Sequence, residues 1–367
     1  MQKRNTNIEL MRMICMFLII MHHAILYSDV LSNSGVSLNK YIAAILYIGG
    51  KYGTNVFFSI TAYFLIDKTF HLKRVLSVWK TTFFYGAVFF VLNIFTRFRA
   101  FRLRDICETL LPISYKAYWF VTAYVALVIL SQFLNLLIHK LDKKALGLLV
   151  IVCTCMVTIP ATFLPGANPY ADGSHLFLSV LIYLAVGFYK KWIELENSYD
   201  DSQMPKIRRL RTFFLGIACI GFLWMVLSAI LIITLNKASL NGHITYWMSG
   251  ESLPMLMFSL GTIVIIFNKP AKENKLILAI SGGIFDIYLI HMNHFVYLWL
   301  WNKMFRIQEY YHTPFFFIKI IGVSVLVFLV CIVIGNIRKL FSDYLNSKIK
   351  LGWIDKLCMQ VNQVMNM

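Results

Sequence analysis

The chain has 367 residues, of which 59% are hydrophobic and 14% are charged. Soluble domains have about 45–50% apolar and about 25% charged residues, so this composition excludes a water-soluble globular protein. The formal charge of +18 could indicate a nucleic-acid partner, but Lys and Arg lie mostly in short segments between apolar runs. That pattern is typical of a membrane protein oriented by cytoplasmic positive charge, and we expect no nucleic acid as a partner.

The apolar runs predict an all-α, polytopic bundle in the lipid bilayer. A membrane-spanning helix needs about 20 mostly apolar residues, and about ten runs meet this requirement. The Lys and Arg bias places both termini in the cytoplasm, although the segment 96–117 carries five of these residues on the predicted outer side. The predicted spans are 8–27, 41–66, 78–95, 118–138, 145–164, 174–190, 212–235, 252–268, 276–301 and 314–336.

The whole set of spans forms one transmembrane domain, 1–340, and 341–367 is predicted to be a cytoplasmic C-terminal tail. Two of the spans, 41–66 and 276–301, contain pairs of glycines. We expect kinks or breaks there, which are tolerated where protein or a water-filled cavity surrounds them.

The first span contains ionisable residues, which are costly inside a bilayer and are therefore candidates for function. Arg12 and His23 are eleven residues apart, which places them on one helix face, roughly 16 Å apart along the axis. Glu9 precedes Arg12 by three residues, close enough to pair with it. If these residues had only a structural role, Arg12 would pair with Glu9 and extend to water, and His23 would form a hydrogen bond to a neighbouring helix. Together, a cation at the cytoplasmic end and a base further out suit an elongated anionic thioester such as an acyl derivative of coenzyme A.

Other polar side chains lie inside later spans. Asn55 and Ser59 share a helix face and either bind substrate or form interhelical hydrogen bonds. Tyr288 and His291 share a face of the ninth span, where His291 either lines a cavity or is a hydrogen-bonded core histidine. Asp286 is expected to pair with Lys51 or with another intramembrane group.

A metal site is not predicted. His291 and His294 are close in sequence, but a metal needs three or four ligands and no third candidate lies nearby in the sequence. The seven cysteines include no CxxC pair, so they indicate neither zinc ligands nor a disulfide framework.

Four segments together resemble the acyltransferase-3 family of bacterial integral membrane proteins, in the family's order and across nearly the whole chain. Segment 53–64 replaces the Ser-Gly of the family's "FFxxSGyf" pattern with Thr61-Ala62. The four segments are Arg12 and His23 preceded by Ile8-Glu9, the second-helix segment 53–64, the Trp-Phe start of a later helix at 118–120, and the "YLxH" segment 281–291.

The resemblance implies O-acyl transfer, usually of acetyl, from a cytoplasmic acyl-CoA to a hydroxyl of an envelope polysaccharide, in the bacterial cytoplasmic membrane. It implies that His23 is catalytic, that Arg12 is its signature partner, and that Trp119 borders the site. Arg74 corresponds to one of the arginines that the family places at the inner start of the third helix, although the stretch 71–74 lacks a full Arg-x-x-Arg. Lys73, beside it, would help to attract the CoA phosphates. The ordinary alternative for these two cations is charge that sets topology.

Two other functions remain open from the sequence. A transporter or flippase for a lipid-linked saccharide would be expected to contain paired repeats with broken helices in both halves, and no clear repeat is found. A membrane sensor or scaffold would not need Arg12 and His23 on one face.

Overall fold

The structure, a computed structural model, describes residues 5–97, 100, 102–166, 175–194, 204–269, 273–348 and 352–366. The described residues form helices and turns without a strand. The fourteen α-helices are α1 Thr6–Tyr27, α2 Leu38–Leu65, α3 Leu72–Thr96, α4 Leu103–Leu110, α5 Trp119–Lys140, α6 Lys143–Phe163, α7 Leu176–Trp192, α8 Met204–Leu235, α9 Leu253–Phe267, α10 Lys275–Ile280, α11 Ile284–His291, α12 Tyr297–Trp299, α13 Phe316–Lys348 and α14 Gly352–Met365.

The predicted fold class is confirmed: the protein is an all-α membrane bundle. Within the described ranges, seven helical segments are long and apolar enough to cross a membrane, namely α1, α3, α5, α6, α8, α13, and α9 together with the turns that precede it. The other three predicted spans fall on α2, on α7 and on the segment from α10 to α12. Each predicted span therefore overlaps at least one helix, although residue 174 of the span 174–190 lies outside the described residues, whereas length and apolarity alone select seven.

The two glycine-containing spans behave differently. The helix α2 is continuous from Leu38 to Leu65, so the expected kink or break at Gly49–Gly50 does not interrupt it. The ninth predicted span is broken as expected, because a 3₁₀ turn at Ser281–Gly283 separates α10 from α11. A π-helical turn at Leu300–Met304 then follows α12.

The glycines of α2 instead allow close packing against α1. A Cβ atom on Gly50 would lie 2.2 Å from Cγ of His22, and one on Gly53 would lie 2.9 Å from Cγ1 of Ile19. Both distances are too short for real contacts. Small residues let two membrane helices approach each other closely, so these glycines bring α2 against the histidines of α1.

A buried ion pair joins the broken span to its neighbours. The Asp286 carboxylate accepts hydrogen bonds from the Arg338 guanidinium and, at 2.8 Å, from the Tyr85 hydroxyl. Of the two predicted alternatives for the partner of Asp286, Lys51 is wrong, because Lys51 contacts His175, and the partner is another group, the Arg338 guanidinium. This arrangement joins α3, α11 and α13 and fixes the orientation of α11.

The C-terminal helix packs against the start of α3. The N-cap residue of α3 is His71, whose side chain makes no capping hydrogen bond. Instead, the side-chain oxygens of Asn362 and Asn366 accept hydrogen bonds of 2.8 Å from the backbone N–H groups of Leu72 and Phe70. The preceding helix, α13, runs through the expected domain boundary at 340, and a cytoplasmic position of the tail stays a prediction.

We predict that Gly50→Ala lowers the free energy of unfolding by about 1–3 kcal/mol, since the added methyl group overpacks the contact with His22. The measurement is the thermal midpoint of the purified protein in detergent. Gly216→Ala is the matched control, because a Cβ there meets no atom within 4 Å and alanine favours a helix by up to about 1 kcal/mol. Equal midpoints for the two variants would contradict the proposed close packing.

Candidate active site

One cavity of about 760 Å³ lies between α1, α2, α3, α5 and the segment around α11. Its volume is within the range of roughly 300–1,000 Å³ that small-molecule sites occupy. The residues that α1 contributes include Arg12, Met16, Ile19, His23 and Leu26, which are spaced three or four positions apart. They form a single stripe of the helix, so Arg12 and His23 face the same cavity as predicted from their spacing.

His23 is held by a second histidine from the broken span. Its Nδ1 lies 3.0 Å from Nε2 of His291, and Nδ1 of His291 lies 2.6 Å from the carbonyl oxygen of Ile287. A carbonyl oxygen only accepts hydrogen bonds, so Nδ1 of a neutral His291 carries the proton and its Nε2 accepts one from His23. The His23 proton is therefore on Nδ1, and its Nε2 has a lone pair available to act as a base.

Aromatic side chains lie beside the two histidines. Tyr288 and Phe120 line the cavity with His23, and the Tyr288 ring lies 6.2 Å from that of His291 and 5.7 Å from that of Phe120. His291 itself is fully buried behind His23. It therefore serves to position the His23 ring.

Two arginines line the cavity at a distance from the two histidines. Arg12 is oriented by Glu9, whose carboxylate oxygen lies 3.2 Å from Nη1 of Arg12, and it lies over the ring of Phe64 at 5.6 Å. Arg74, from the first turn of α3, also lines the cavity. Tyr124 lines the cavity together with both arginines, so the two guanidinium charges face one shared space.

The remaining predicted site residues are divided between the cavity and other places. Trp119 lines the cavity. Lys73 lies on the surface and pairs with Asp355 at 2.8 Å. The side chain of Asn55 donates to the carbonyl of Gly250 at 3.0 Å, and the hydroxyl of Ser59 donates to the carbonyl of Asn55 at 2.8 Å. Asn55 thus bonds to the turn that precedes α9, and Ser59 bonds to the backbone of its own helix.

A model of the acyltransferase domain family matches residues 5–335, nearly the whole chain. The chain belongs to the acyltransferase-3 family. No curated protein and no solved structure matches it significantly. The family match indicates acyltransferase activity in general. The residues that take part in the reaction are inferred from the geometry of the cavity.

Several cavity residues of the acyltransferase were not predicted from the sequence. His22 lines the cavity, and its Nδ1 lies 2.7 Å from the carbonyl oxygen of Tyr47. Lys51 lines it too, and its Nζ lies 3.1 Å from Nε2 of His175. Lys51 could have been selected as a cation inside a span, whereas His175 has no such signal because it lies at the start of α7.

A group of possible metal ligands also comes together. Asp105, Glu108 and His294 place one ligand atom each within 4.8 Å of one another, although sequence spacing had suggested no third ligand for His294. The carboxylates have other partners, since Glu108 pairs with Arg104 at 2.6 Å and Asp105 accepts from the backbone N–H of Arg102 at 3.0 Å. His294 itself lies 4.0 Å from Asp105 and 3.7 Å from Glu108, so it joins the turn that follows α11 to α4.

We expect His291→Leu to lower the turnover number of the acyltransferase by about 10²- to 10⁴-fold, the usual contribution of a positioned acid–base group. Leucine cannot accept the Nδ1 proton of His23, so the ring loses its fixed tautomer. His291→Gln should retain more activity because its amide oxygen can accept that proton. Turnover would be measured with acetyl-CoA as the test donor.

His312→Leu, at an exposed histidine, is the control and should leave turnover unchanged. The thermal midpoint of each variant checks that the bundle is intact. Wild-type turnover in a folded His291→Leu variant would show that His291 does not position the base.

Proposed function

We propose that this acyltransferase moves an acyl group, most simply acetyl, from cytoplasmic acyl-CoA to a hydroxyl of a cell-envelope polysaccharide. The observation that carries the proposal is the single cavity that joins Arg12 and Arg74 to His23. A cationic part suits the phosphates of the donor, and the lone pair on Nε2 of His23 suits removal of a hydroxyl proton. The spacing along α1, roughly 16 Å, suits an elongated molecule.

The donor is proposed to lie along the cavity with its phosphates at the arginines. Arg74 leaves the first turn of α3, and Arg12 is held in place by Glu9. Guanidinium groups bind phosphate oxygens through paired hydrogen bonds. Lys73, although engaged by Asp355, adds positive charge at the same end of α3. The thioester would then lie beside His23.

The proposed reaction uses His23 first as a base and then as an acid. Its Nε2 takes the proton of the acceptor hydroxyl while the hydroxyl oxygen bonds to the thioester carbonyl carbon, and the carbonyl π electrons move onto oxygen. When the carbonyl double bond re-forms, the carbon–sulfur bond breaks and the thiolate takes the proton from His23. Thioester and alcohol thus become ester and thiol. Histidine suits both roles because its ordinary pKa lies near neutrality.

The proposed location is the bacterial cytoplasmic membrane, with both termini in the cytoplasm. The bias of Lys and Arg among the loops supports this orientation. It places the start of α1 and the start of α3, with their arginines, on the side where acyl-CoA is made. His23 then lies nearer the outer side, where an envelope glycan would be met.

We expect His23→Ala to abolish O-acetylation of the envelope glycan while the protein still inserts into the membrane. The measurement is the O-acetyl signal in the NMR spectrum of glycan from cells that express wild type, His23→Ala or the exposed-site control His312→Ala. Equal membrane levels on an immunoblot make the comparison valid. A normal O-acetyl signal with His23→Ala would remove His23 from the reaction, and a loss of glycan export instead would favour a transporter.

We expect Arg12→Ala and Arg74→Ala each to raise KM for acetyl-CoA about ten- to hundredfold, since a hydrogen bond to a charged group contributes about 1.5–3 kcal/mol. The same variants should use the acetyl thioester of N-acetylcysteamine as well as wild type does, because it lacks the phosphates. Arg306→Ala, at an exposed arginine, is the control. Equal losses with both thioesters would show that the arginines do not bind the phosphate groups.

A further inference from the structure

A second polar cluster opens onto the cavity opposite the arginines. The Nδ1 of His175 hydrogen-bonds to the carboxylate of Glu251, and its Nε2 lies 3.1 Å from Nζ of Lys51. Glu251 is buried, with 3% of its surface exposed. The three residues come from the start of α7, the turn before α9 and the middle of α2. Lys51 is the member that lines the cavity.

The hydrogen-bond directions in this cluster are fixed by chemistry. A lysine ammonium only donates, so Nε2 of His175 accepts and its Nδ1 carries the proton that is donated to Glu251. The ammonium also lies over the ring of Trp119, 4.9 Å from its centroid. The Trp119 ring lies 4.6 Å from that of His175. Lys51 is thus held from two sides. Its ammonium has three N–H groups, and those that are not donated to His175 are available to a molecule in the cavity.

The backbone at His175 supports a role in placing Lys51. His175 has a φ of 53°, in the left-handed region, which non-glycine residues adopt at a cost of order 1–3 kcal/mol. Such strained residues cluster where a side chain must be placed for function. Here the strained residue is the one that joins Glu251 to Lys51.

Lys51 lies near the reacting base. The residue before it, Gly50, is in direct contact with the His22 ring, and His23 follows His22 on α1. Lys51, His22 and His23 all line the cavity. The ammonium and the proposed base therefore belong to the same part of the cavity.

We propose that Lys51 is a catalytic residue that stabilises the oxyanion formed on the thioester carbonyl, and that His175 and Glu251 are its positioning residues. The inference rests on the proposed function. In the step written above, the carbonyl oxygen becomes negative when the acceptor oxygen bonds to carbon, and a Lys51 N–H donates to that oxygen until the carbon–sulfur bond breaks. Donors fixed in advance at the site of developing charge supply much of the catalysis in enzymes.

The charge balance favours an oxyanion over an anionic acceptor at Lys51. Glu251 already neutralises Lys51 through a neutral His175. A bound carboxylate or phosphate would add an uncompensated charge in a poorly solvated cavity, which is costly. The oxyanion forms only when His23 has taken a proton, so the imidazolium balances it.

The test uses the full-length protein in detergent with acetyl-CoA, and it measures CoA release with water alone and with added envelope glycan. We expect Lys51→Met to lower kcat about 10²- to 10³-fold in both assays, the usual effect of removing an oxyanion donor, with KM for acetyl-CoA within threefold of wild type. Lys51→Arg should recover part of kcat because it keeps a donor. Glu251→Gln should lower kcat about tenfold. Lys237→Met, at an exposed lysine, is the control.

Each other result has a distinct meaning. A folded Lys51→Met variant with wild-type kcat overturns the inference, and so does a loss confined to the assay with glycan, which would make Lys51 an acceptor-binding residue. A rise in KM alone also overturns it. If Lys51→Met does not fold, Lys51→Arg and Glu251→Gln decide, and wild-type kcat in both overturns the inference. The absence of CoA release by wild type in both assays overturns the proposed function, and this inference with it.

Discussion

The hydrogen bond between His23 and His291 is the interaction on which the candidate site depends. It joins residues that are 268 positions apart in the chain, and it joins the first helix to a span that is broken twice. The break at Ser281–Gly283 separates α11 from α10, and the ion pair of Asp286 with Arg338 then holds α11. The tautomer of His23 therefore depends on the tertiary contacts that orient α11, the short helix that carries His291.

The polar groups of the cavity follow one rule of membrane proteins: a polar side chain away from water needs a partner within the protein. Arg12 has Glu9, His23 has His291, and Lys51 has His175. Each of these three lining residues is thereby held by another side chain. Acid–base and electrostatic catalysis also require fixed orientation, so under the proposed function the same contacts would serve both stability and chemistry.

The sequence predicted the parts of this architecture that follow from local periodicity. Apolar runs gave the helical class, and the helix repeat placed Arg12 and His23 on one face. Neighbours on a helix diverge by about 100°, and for this reason Arg74 lines the cavity while Lys73 lies on the surface.

Contacts between distant segments could not be predicted in this way. The partner of Lys51 comes from the start of α7 and the turn before α9, and neither position contains a recognisable pattern. Asn55 and Ser59 share a face, but Asn55 bonds to the turn before α9 and to Ser259 of α9, and Ser59 bonds within its own helix, rather than to the cavity. Periodicity identifies a helix face, whereas tertiary packing decides what that face meets.

The capping of α3 by Asn362 and Asn366 has a consequence for biogenesis. The two asparagines lie 290 and 296 positions after the backbone groups that they cap, yet they complete the first turn of the helix that carries Arg74. A nascent chain that has not yet reached Asn362, or a chain clipped before it, would have the helix α3 without this finished turn. Maturation of this end of the cavity is thereby tied to synthesis of the segment around Asn362 and Asn366, and a truncation that removes this segment would alter the surroundings of Arg74.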